Sequence, residues 1–378
     1  MKKLLFVITQ FYKGGAEVAL LNLFRQLSPQ KHEVDFLIID QIILKDSQSL
    51  ISQIPQWISV YNVSECEGKY AIIKKICNKV YCKLTRHQLF RKNAVDYVKN
   101  KLYDVAFSYG EWLSPEFVAT KVKAKKKYVW IHSDIDKALY VDKKLLFGYD
   151  SAYDSYIFVS EHSRKVAEVA YPFLKNKSCI IHNMCDDKYV RKLSEELIDE
   201  KELRSDPWIV SVANLREEKN YPRMLETMRI LRDSGINIKW LCIGSTANTF
   251  LFKKISALIT KYNLNNDFIL LGVKNNPYKY MSKCKAVIVL SDYESWSLVI
   301  TEAKLLGVPV ISTKTSGALE QIVNEMNGLL VSDEPPVIAD TIIKLLNDEE
   351  LQKTIRNNLV GFTTQKTVLF EFNNIIGD

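Results

Sequence analysis

Short apolar runs, rich in Val and Ile and bounded by turn residues, recur along this chain, and most are followed by segments whose apolar positions return every three or four residues. Lys3 to Thr9, His32 to Ile39, Tyr103 to Ser108, Tyr128 to Ile131, Tyr156 to Ser160 and Cys179 to His182 read as strands in the first half. Trp208 to Val212, Lys239 to Ile243, Phe268 to Leu271, Ala286 to Leu290, Val310 to Ser312 and Leu329 to Val331 read so in the second. Their apolar residues are continuous rather than alternating, as a parallel strand covered on both faces requires. Helical spacing appears in Ala16, Ala19, Leu20, Leu23, Phe24 and Leu27, and in Glu161 to Val169 behind a Ser160 cap. It returns in Ala339 to Leu346, Leu351 to Leu359 and Thr367 to Ile376. Residues 40–68, with Pro55 and Trp57, fit neither period and receive no assignment. The alternation predicts an α/β chain of two Rossmann-like, doubly wound, parallel-sheet domains facing a cleft. The expected boundaries are 1–187 and 207–366, with the charge-rich 188–206 as linker and 367–378 as a final helix.

Composition narrows the class. A chain of 378 residues can build two such cores, and 47% apolar with 25% charged residues excludes a disordered or fibrous protein. Met1 to Ile8 imitates a signal peptide, but its apolar core is shorter than the ~7 to 15 residues of one and no small-residue cleavage site follows. No apolar run approaches the ~18 to 20 residues of a membrane span, so the expected location is cytoplasmic. The seven cysteines, at 66, 77, 82, 179, 185, 242 and 284, form no C-x-x-C pair, which points to reduced thiols rather than disulfides or a zinc ribbon. The five histidines include no H-E-x-x-H, and no structural metal is expected.

The net charge of +8 is unevenly spread. From Lys69 to Lys101 ten basic residues face one acid, Asp96, interleaved with Ile72, Ile73, Ile76, Val80, Tyr81, Leu84, Leu89 and Phe90 at roughly helical spacing. Such a stretch suits an anionic membrane surface, and its plain alternative is a solvated helix with extended lysines. Lys121 to Lys127 adds a second basic cluster. No nucleic-acid recognition motif accompanies this charge, and no nucleic-acid partner is expected.

The candidate chemistry gathers in Lys285 to Gly317, KAVIVLSDYESWSLVITEAKLLGVPVISTKTSG. The Ala286 to Leu290 strand ends at Ser291, Asp292 and Glu294 sit at its carboxyl end, and a helix begins at Ser297 and stops at Gly307. Glu294 lies before the helix and Glu302 about one and a half turns inside it, so both can face one ligand over the helix amino end. The Ser297 and Leu298 amides are first-turn donors placed for a diphosphate. A carboxylate accepts both hydrogen bonds of a vicinal diol, which suits Glu302 to a ribose and Glu294 to a sugar hydroxyl. The plain alternative is a loop charge and a solvated helix carboxylate.

The string E-S-W-S-L-V-I-T-E-A-K-L-L-G-V-P-V-I-S-T resembles the signature of the large retaining glycosyltransferase family numbered four, of the GT-B fold. Glu294, Glu302, Ala303, Gly307, Pro309, Val310 and Gly317 match its pattern, while Ser295, Trp296 and Ser297 stand where small residues are usual. The resemblance implies that Glu294 contacts the donor sugar and Glu302 the nucleotide ribose. It also implies that Gly15, in Gly14-Gly15-Ala16-Glu17, faces the donor phosphates, and that His132 lies near the donor sugar. Asn183-Met184-Cys185-Asp186 is similar to the family's Ile-x-Asn-Gly-x-Asp turn, with Met184 in the glycine place. In Ala213 to Asn220, Lys219 falls on the family's phosphate-binding lysine, Asn214 on its arginine, and Arg216 lies two residues later. Gly244 ends the next strand as a donor-side glycine. Asp134-Ile-Asp136 has the spacing by which another glycosyltransferase fold holds a divalent ion. It is assigned here to a loop, with neither metal nor cofactor expected.

The resemblance implies a retaining transferase moving a sugar from a nucleoside diphosphate donor, with uridine as the expected base, to a glycan or lipid-linked oligosaccharide. The setting it implies is bacterial surface polysaccharide synthesis at the inner face of the cell membrane. Glu294, His132 and Lys219 are the expected catalytic residues. Gly15, Asn214, Arg216, Lys219, Gly244, Glu294, Ser297, Leu298 and Glu302 are the expected donor contacts. The first domain is the expected acceptor side, and the final helix crosses back to it in this fold. A nucleotide-sugar hydrolase or epimerase of the same fold, or a non-catalytic partner subunit, would share much of this pattern.

Overall fold

The computed structural model describes residues 1–41, 49–85, 91–198 and 207–378, apart from the side chains of Cys66, Glu67 and Lys69. Among them, Met1–Met184 and Lys366–Asp378 form one compact unit and Cys185–Gln365 a second. The first unit therefore closes at Met184, ahead of the expected 187.

The first unit holds the strands β1 (Lys2–Ile8), β2 (His32–Ile38), β3 (Ser59–Asn62), β4 (Leu102–Tyr109), β5 (Lys123–Ile131), β6 (Ser155–Phe158) and β7 (Ser178–Ile180). They pair in the order β3-β2-β1-β4-β5-β6-β7, every pairing parallel. β3 is the strand that residues 40–68 concealed. It is a short edge strand with a half-exposed pattern, so it carries no buried apolar run. β5 begins at Lys123 rather than Tyr128, because its first half leaves the core. Part of the second basic cluster is thereby used: Lys125 pairs with Asp104 at 2.7 Å and Lys127 donates to the Ala119 carbonyl at 2.9 Å.

The core of this unit is aromatic. Phe6 packs on Phe24, Phe107 and Phe372, with ring centroids 5.2, 4.6 and 6.4 Å away. Phe372 comes from the final helix, Gln365–Ile376, which is also held by Lys2 Nζ on the Ile376 carbonyl at 3.0 Å and by Glu371 on His182 at 2.7 Å. On the far side, Arg91 forms a buried ion pair with Asp40 and donates to the Ile39 carbonyl. One cation of the basic stretch is thus structural, and Lys101 is another, bound to Asp35 at 2.8 Å.

The second unit holds β8 (Trp208–Val212), β9 (Lys239–Ile243), β10 (Phe268–Gly272), β11 (Val287–Val289), β12 (Val310–Thr313) and β13 (Leu329–Val331), all parallel in the order β10-β9-β8-β11-β12-β13. Trp240 and Phe268 centre its core, and Ser211 Oγ accepts the Trp240 indole N–H at 3.0 Å. Part of the expected linker is instead a helix of this unit, Asp187–Ser194, capped by Asp186 and anchored by buried Val190. Its polar sequence hid it, since a single buried apolar side chain is enough to dock a two-turn helix whose other faces stay wet. Residues 199–206 of that linker lie outside the described residues.

In both sheets the chain reverses its direction of growth once, between β1 and β4 and between β8 and β11. Loops leaving carboxyl ends on either side of such a reversal diverge and leave a crevice. Because Phe372 fills the first unit's core from the far end of the chain, Phe372→Ala should cost about 3 to 5 kcal/mol of that unit's stability. Urea unfolding followed by tryptophan fluorescence measures it.

Candidate functional site

The reversal between β8 and β11 is where the second unit's candidate residues meet. The loop after β8 makes one 3₁₀ turn, Glu217–Lys219, and reaches a left-handed Asn220 (φ 46°, ψ 57°) that caps the helix Tyr221–Asp233. The loop after β11 runs alongside, joined by the Asp292 amide on the Glu218 carbonyl at 2.8 Å. Arg223 fixes this second loop from below, with Asp292 at 2.9 Å and the Leu290 carbonyl at 3.0 Å. Thr313 Oγ1 donates to the Ser291 carbonyl at 2.7 Å. The Gly317 amide donates to the Glu294 carbonyl at 2.7 Å, and a Cβ on Gly317 would lie 2.8 Å from the Ser295 carbonyl oxygen. That glycine is therefore required for the loop to close on the helix Ser316–Gln321.

Within this frame Lys219 Nζ lies 2.7 Å from Glu294 Oε2, and Ser291 Oγ donates to the same oxygen at 2.9 Å. Both charged side chains are about one-fifth exposed, enough to screen the pair without dissolving it. They line a small hollow together with Ser211, Ser291 and Ser297. The Ser297 hydroxyl is buried there without a hydrogen-bond partner. The helix Leu298–Leu305 starts at this wall, and its first two amides, Ser297 and Leu298, have no acceptor among the described residues. Donors of this kind, at the positive end of a helix, hold an anion without moving.

Glu302 is not the solvated helix carboxylate of the plain alternative; it is 6% exposed, within a helix buried at nearly every position. Tyr278 donates its hydroxyl to Glu302 Oε1 at 3.0 Å. Burial, with Glu302 beside it, holds the Tyr278 phenol well above its ordinary range, so it stays a donor at any working pH. The helix is tied to its neighbour through Gln321, which accepts from Thr301 at 2.8 Å and from Lys304 Nζ at 2.6 Å. Sequence reading missed both Tyr278 and Arg223. Each lies in an ordinary polar stretch, and only the strand order brings it to these carboxylates.

Three expected donor contacts stand apart from the Glu294 hollow. Arg216 lines a separate opening with Leu215 and Lys254, and its only described ion-pair contact is Glu218 at 3.8 Å. Asn214 Oδ1 accepts the Ser245 amide at 2.8 Å, a bond that seals the β8 and β9 loops together. Gly244 has a packing reason of its own, since a Cβ there would lie 1.9 Å from the Ala213 carbonyl oxygen.

In the first unit the candidates also collect at strand carboxyl ends. Gly15 opens the helix Gly15–Gln26, and nothing lies within 4 Å of where its Cβ would be, so the fold itself does not demand glycine there. Tyr109 donates to the Ala16 carbonyl at 2.9 Å, and its ring stands 4.6 Å from that of His132. Gly15 and His132 thus share one corner of this unit. The imidazole is stacked parallel to Trp130 at 6.0 Å, and neither ring nitrogen has a well-formed hydrogen bond. Burial drives its pKa down to about 3, with the Asn183 carboxamide opposing only in part. At neutral pH it is an uncharged ring that can donate or accept a hydrogen bond but carries no proton to give up as an acid. Asp134 is buried and accepts the Ser163 hydroxyl, while Asp136 is exposed, so the two carboxylates serve different surroundings.

Comparison with known proteins bears on the fold. Residues 194–359 match the family described as glycosyl transferases group 1. An uncharacterized glycosyltransferase of Methanocaldococcus jannaschii is 26% identical over 282 residues, 63% of this chain and 68% of its own. The N-acetylgalactosamine-N,N'-diacetylbacillosaminyl-diphospho-undecaprenol 4-alpha-N-acetylgalactosaminyltransferase of Campylobacter jejuni is 30% identical over 184 residues, 48% of each chain. Among solved structures, Anabaena HepE in complex with UDP and glucose superposes with a TM-score of 0.73 over the full length of both chains at 17% identity. The fold is accordingly GT-B.

Two outcomes follow from the packing. Gly244→Ala should destabilise by about 1 to 3 kcal/mol, because the new methyl meets fixed backbone; the thermal midpoint measures it. Because the His132 pKa falls from 6.5 to about 3 on folding, the unfolded chain binds the proton first as pH drops. Stability should therefore decline from about pH 6.5 toward pH 3, and His132→Gln should flatten that limb in urea titrations at pH 7 and pH 5.

Proposed function

We propose that this chain, a glycosyltransferase of the GT-B fold, transfers a sugar with retention of configuration from a UDP-linked donor to a hydroxyl of a glycan or lipid-linked oligosaccharide. The observation that carries the reading is the Lys219–Glu294 pair, 2.7 Å apart at the β8 and β11 reversal, beside two unfilled helix amides. In this reading the amides of Ser297 and Leu298 and the ammonium of Lys219 take the diphosphate, and they stabilise the negative charge that grows as it leaves. Glu294 holds the donor sugar's hydroxyls and, by its bond to Lys219, keeps that cation aimed at the phosphates. Glu302, braced by Tyr278, holds the ribose. Asn214, Arg216 and Gly244 have weaker support as contacts, since each faces other partners in the described structure. Retention rests on the resemblance of the Glu294 to Glu302 signature. Gly15 and His132 are carried as donor contacts on the same ground, with His132 acting as a neutral hydrogen-bonding ring. Lys219 and the amides neutralise the diphosphate without a divalent ion, so turnover should survive EDTA.

The acceptor side of the reading draws on two supports. One is the similar Campylobacter enzyme, whose name specifies a diphospho-undecaprenol-linked acceptor. The other is the helix Ala71–Thr85, which stands almost free of the body. Ile72, Ile73, Ile76, Val80 and Leu84 are exposed along one side of it, with Lys74, Lys79 and Lys83 also exposed and no acid between Gly68 and Asp96. Among the described residues no helix is long and apolar enough to cross a membrane. An exposed amphipathic helix edged with lysine binds in the plane of an anionic bilayer. On this reading the enzyme works at the inner membrane face, in surface polysaccharide synthesis, and the exposed lysine-edged helix supports that setting. Arg86, Leu89 and Phe90 of the same basic stretch lie outside the described residues.

Glu302→Ala should weaken UDP binding by roughly 1 to 3 kcal/mol in calorimetry, and unchanged affinity would remove the ribose role. Glu294→Gln should keep UDP affinity while transfer is lost; retained turnover would take Glu294 out of the site. Reversing the charge of Lys74, Lys79 and Lys83 should abolish sedimentation with phosphatidylglycerol vesicles, and unchanged binding would leave Ala71–Thr85 without a membrane role.

A further inference from the structure

Glu111, in the turn after β4, is 5% exposed, and among the described residues no cation pairs with it. Its oxygens take one hydrogen bond each: Oε2 from the His132 amide at 2.8 Å and Oε1 from the Tyr140 hydroxyl at 2.9 Å. A carboxylate so placed keeps unused acceptor capacity on both oxygens. A buried charge left without a counter-ion is costly and is retained where a ligand completes it. The groups around it share one property. Tyr140 is 62% exposed, yet its hydroxyl is pinned between Glu111 and Ser133 Oγ, the latter at 2.7 Å, so its ring is presented to solvent in a fixed pose. Trp112 folds back over Gly110, whose φ of +101° and missing Cβ allow it, since a Cβ there would lie 2.4 Å from the indole. The indole ends 5.8 Å from the His132 ring.

We propose that Glu111, Tyr140 and Trp112 form a sugar-binding subsite of the first unit, where the acceptor glycan is held. The inference rests on the transferase reading above and gives its acceptor a place. Glu111 accepts hydrogen bonds from acceptor hydroxyls, and the two rings cover the apolar C–H faces of the sugar. The pairing selects a neutral polyol over an anion, because a buried carboxylate repels phosphate and carboxylate groups. Glu111 binds and takes no proton. Its second bond, to the His132 amide, means that ligand taken up at Glu111 lies beside the imidazole.

The test uses the full chain with saturating UDP and a panel of p-nitrophenyl α- and β-hexosides and N-acetylhexosaminides, followed by saturation-transfer NMR. The wild type should bind at least one glycoside. Glu111→Gln, which retains an oxygen for the His132 amide, and Tyr140→Ala, at an exposed position, should each weaken that binding about tenfold or more. UDP affinity, measured by calorimetry on the same samples, should stay within about twofold. Glycoside binding unchanged in both variants, or absent from the wild type, overturns the subsite. Equal losses of UDP and glycoside affinity also overturn it, reducing Glu111 to a brace for the His132 turn. Failure of the wild type to bind UDP would instead refute the donor reading.

Discussion

The ion pair between Lys219 and Glu294 is the interaction on which the second unit's site depends. It joins the two loops that part at the sheet reversal, and the Asp292 amide on the Glu218 carbonyl repeats the join in the backbone. A half-buried pair of this kind adds modestly to stability. Its larger effect is geometric: a lysine with four rotatable bonds is held to one direction, and a carboxylate on a loop is held to one depth. Arg223, Asn220 and Thr313 then fix the Glu294 loop from three sides, so most of the ordering is complete before a ligand arrives. For the proposed transfer, a site that stabilises growing negative charge gains most from donors that do not reorganise.

The helix Leu298–Leu305 makes the same economy in another way. Seven of its eight residues are buried, including Glu302 and Lys304, so it cannot tilt or fray to suit a ligand. Burying a lysine is costly, and Lys304 answers it by donating to the Gln321 carbonyl and lying 4.3 Å from the Phe362 ring, with its pKa pushed down to about 8. Glu302, buried in the same helix, accepts the Tyr278 hydroxyl at 3.0 Å.

The first unit shows the opposite electrostatic design at its own carboxyl end. Tyr109, Trp130 and Trp112 surround a neutral His132, and Glu111 accepts a hydrogen bond from its backbone amide. Low polarity and loosely used hydrogen-bonding capacity occur together there: among the described residues, Trp130 Nε1, both His132 nitrogens and Asn183 Oδ1 make no well-formed hydrogen bond, and Asn183 meets His132 only weakly. Interiors rarely leave such groups unmatched without a use for them. The helix Ala71–Thr85 breaks the usual rule in a different manner, exposing apolar side chains that the described residues leave uncovered.

What the chain determined by itself was whatever prints a local period. Parallel strands buried on both faces write continuous apolar runs, so twelve strands and both domains were legible, and the step from Val289 into Leu298 marked where Glu294 and Glu302 must stand. The edge strand Ser59–Asn62 and the helix Asp187–Ser194 were not legible, because each docks through too few buried side chains to leave a pattern. Only the tertiary structure decided which distant residues serve the site. Lys219 and Glu294 are 75 positions apart, and Tyr278 reaches Glu302 across 24. Arg216 and Asn214 lie within a few residues of Lys219 yet face elsewhere. Those outcomes follow from strand order and from the direction in which each loop leaves its sheet, and a linear sequence encodes neither as a local signal.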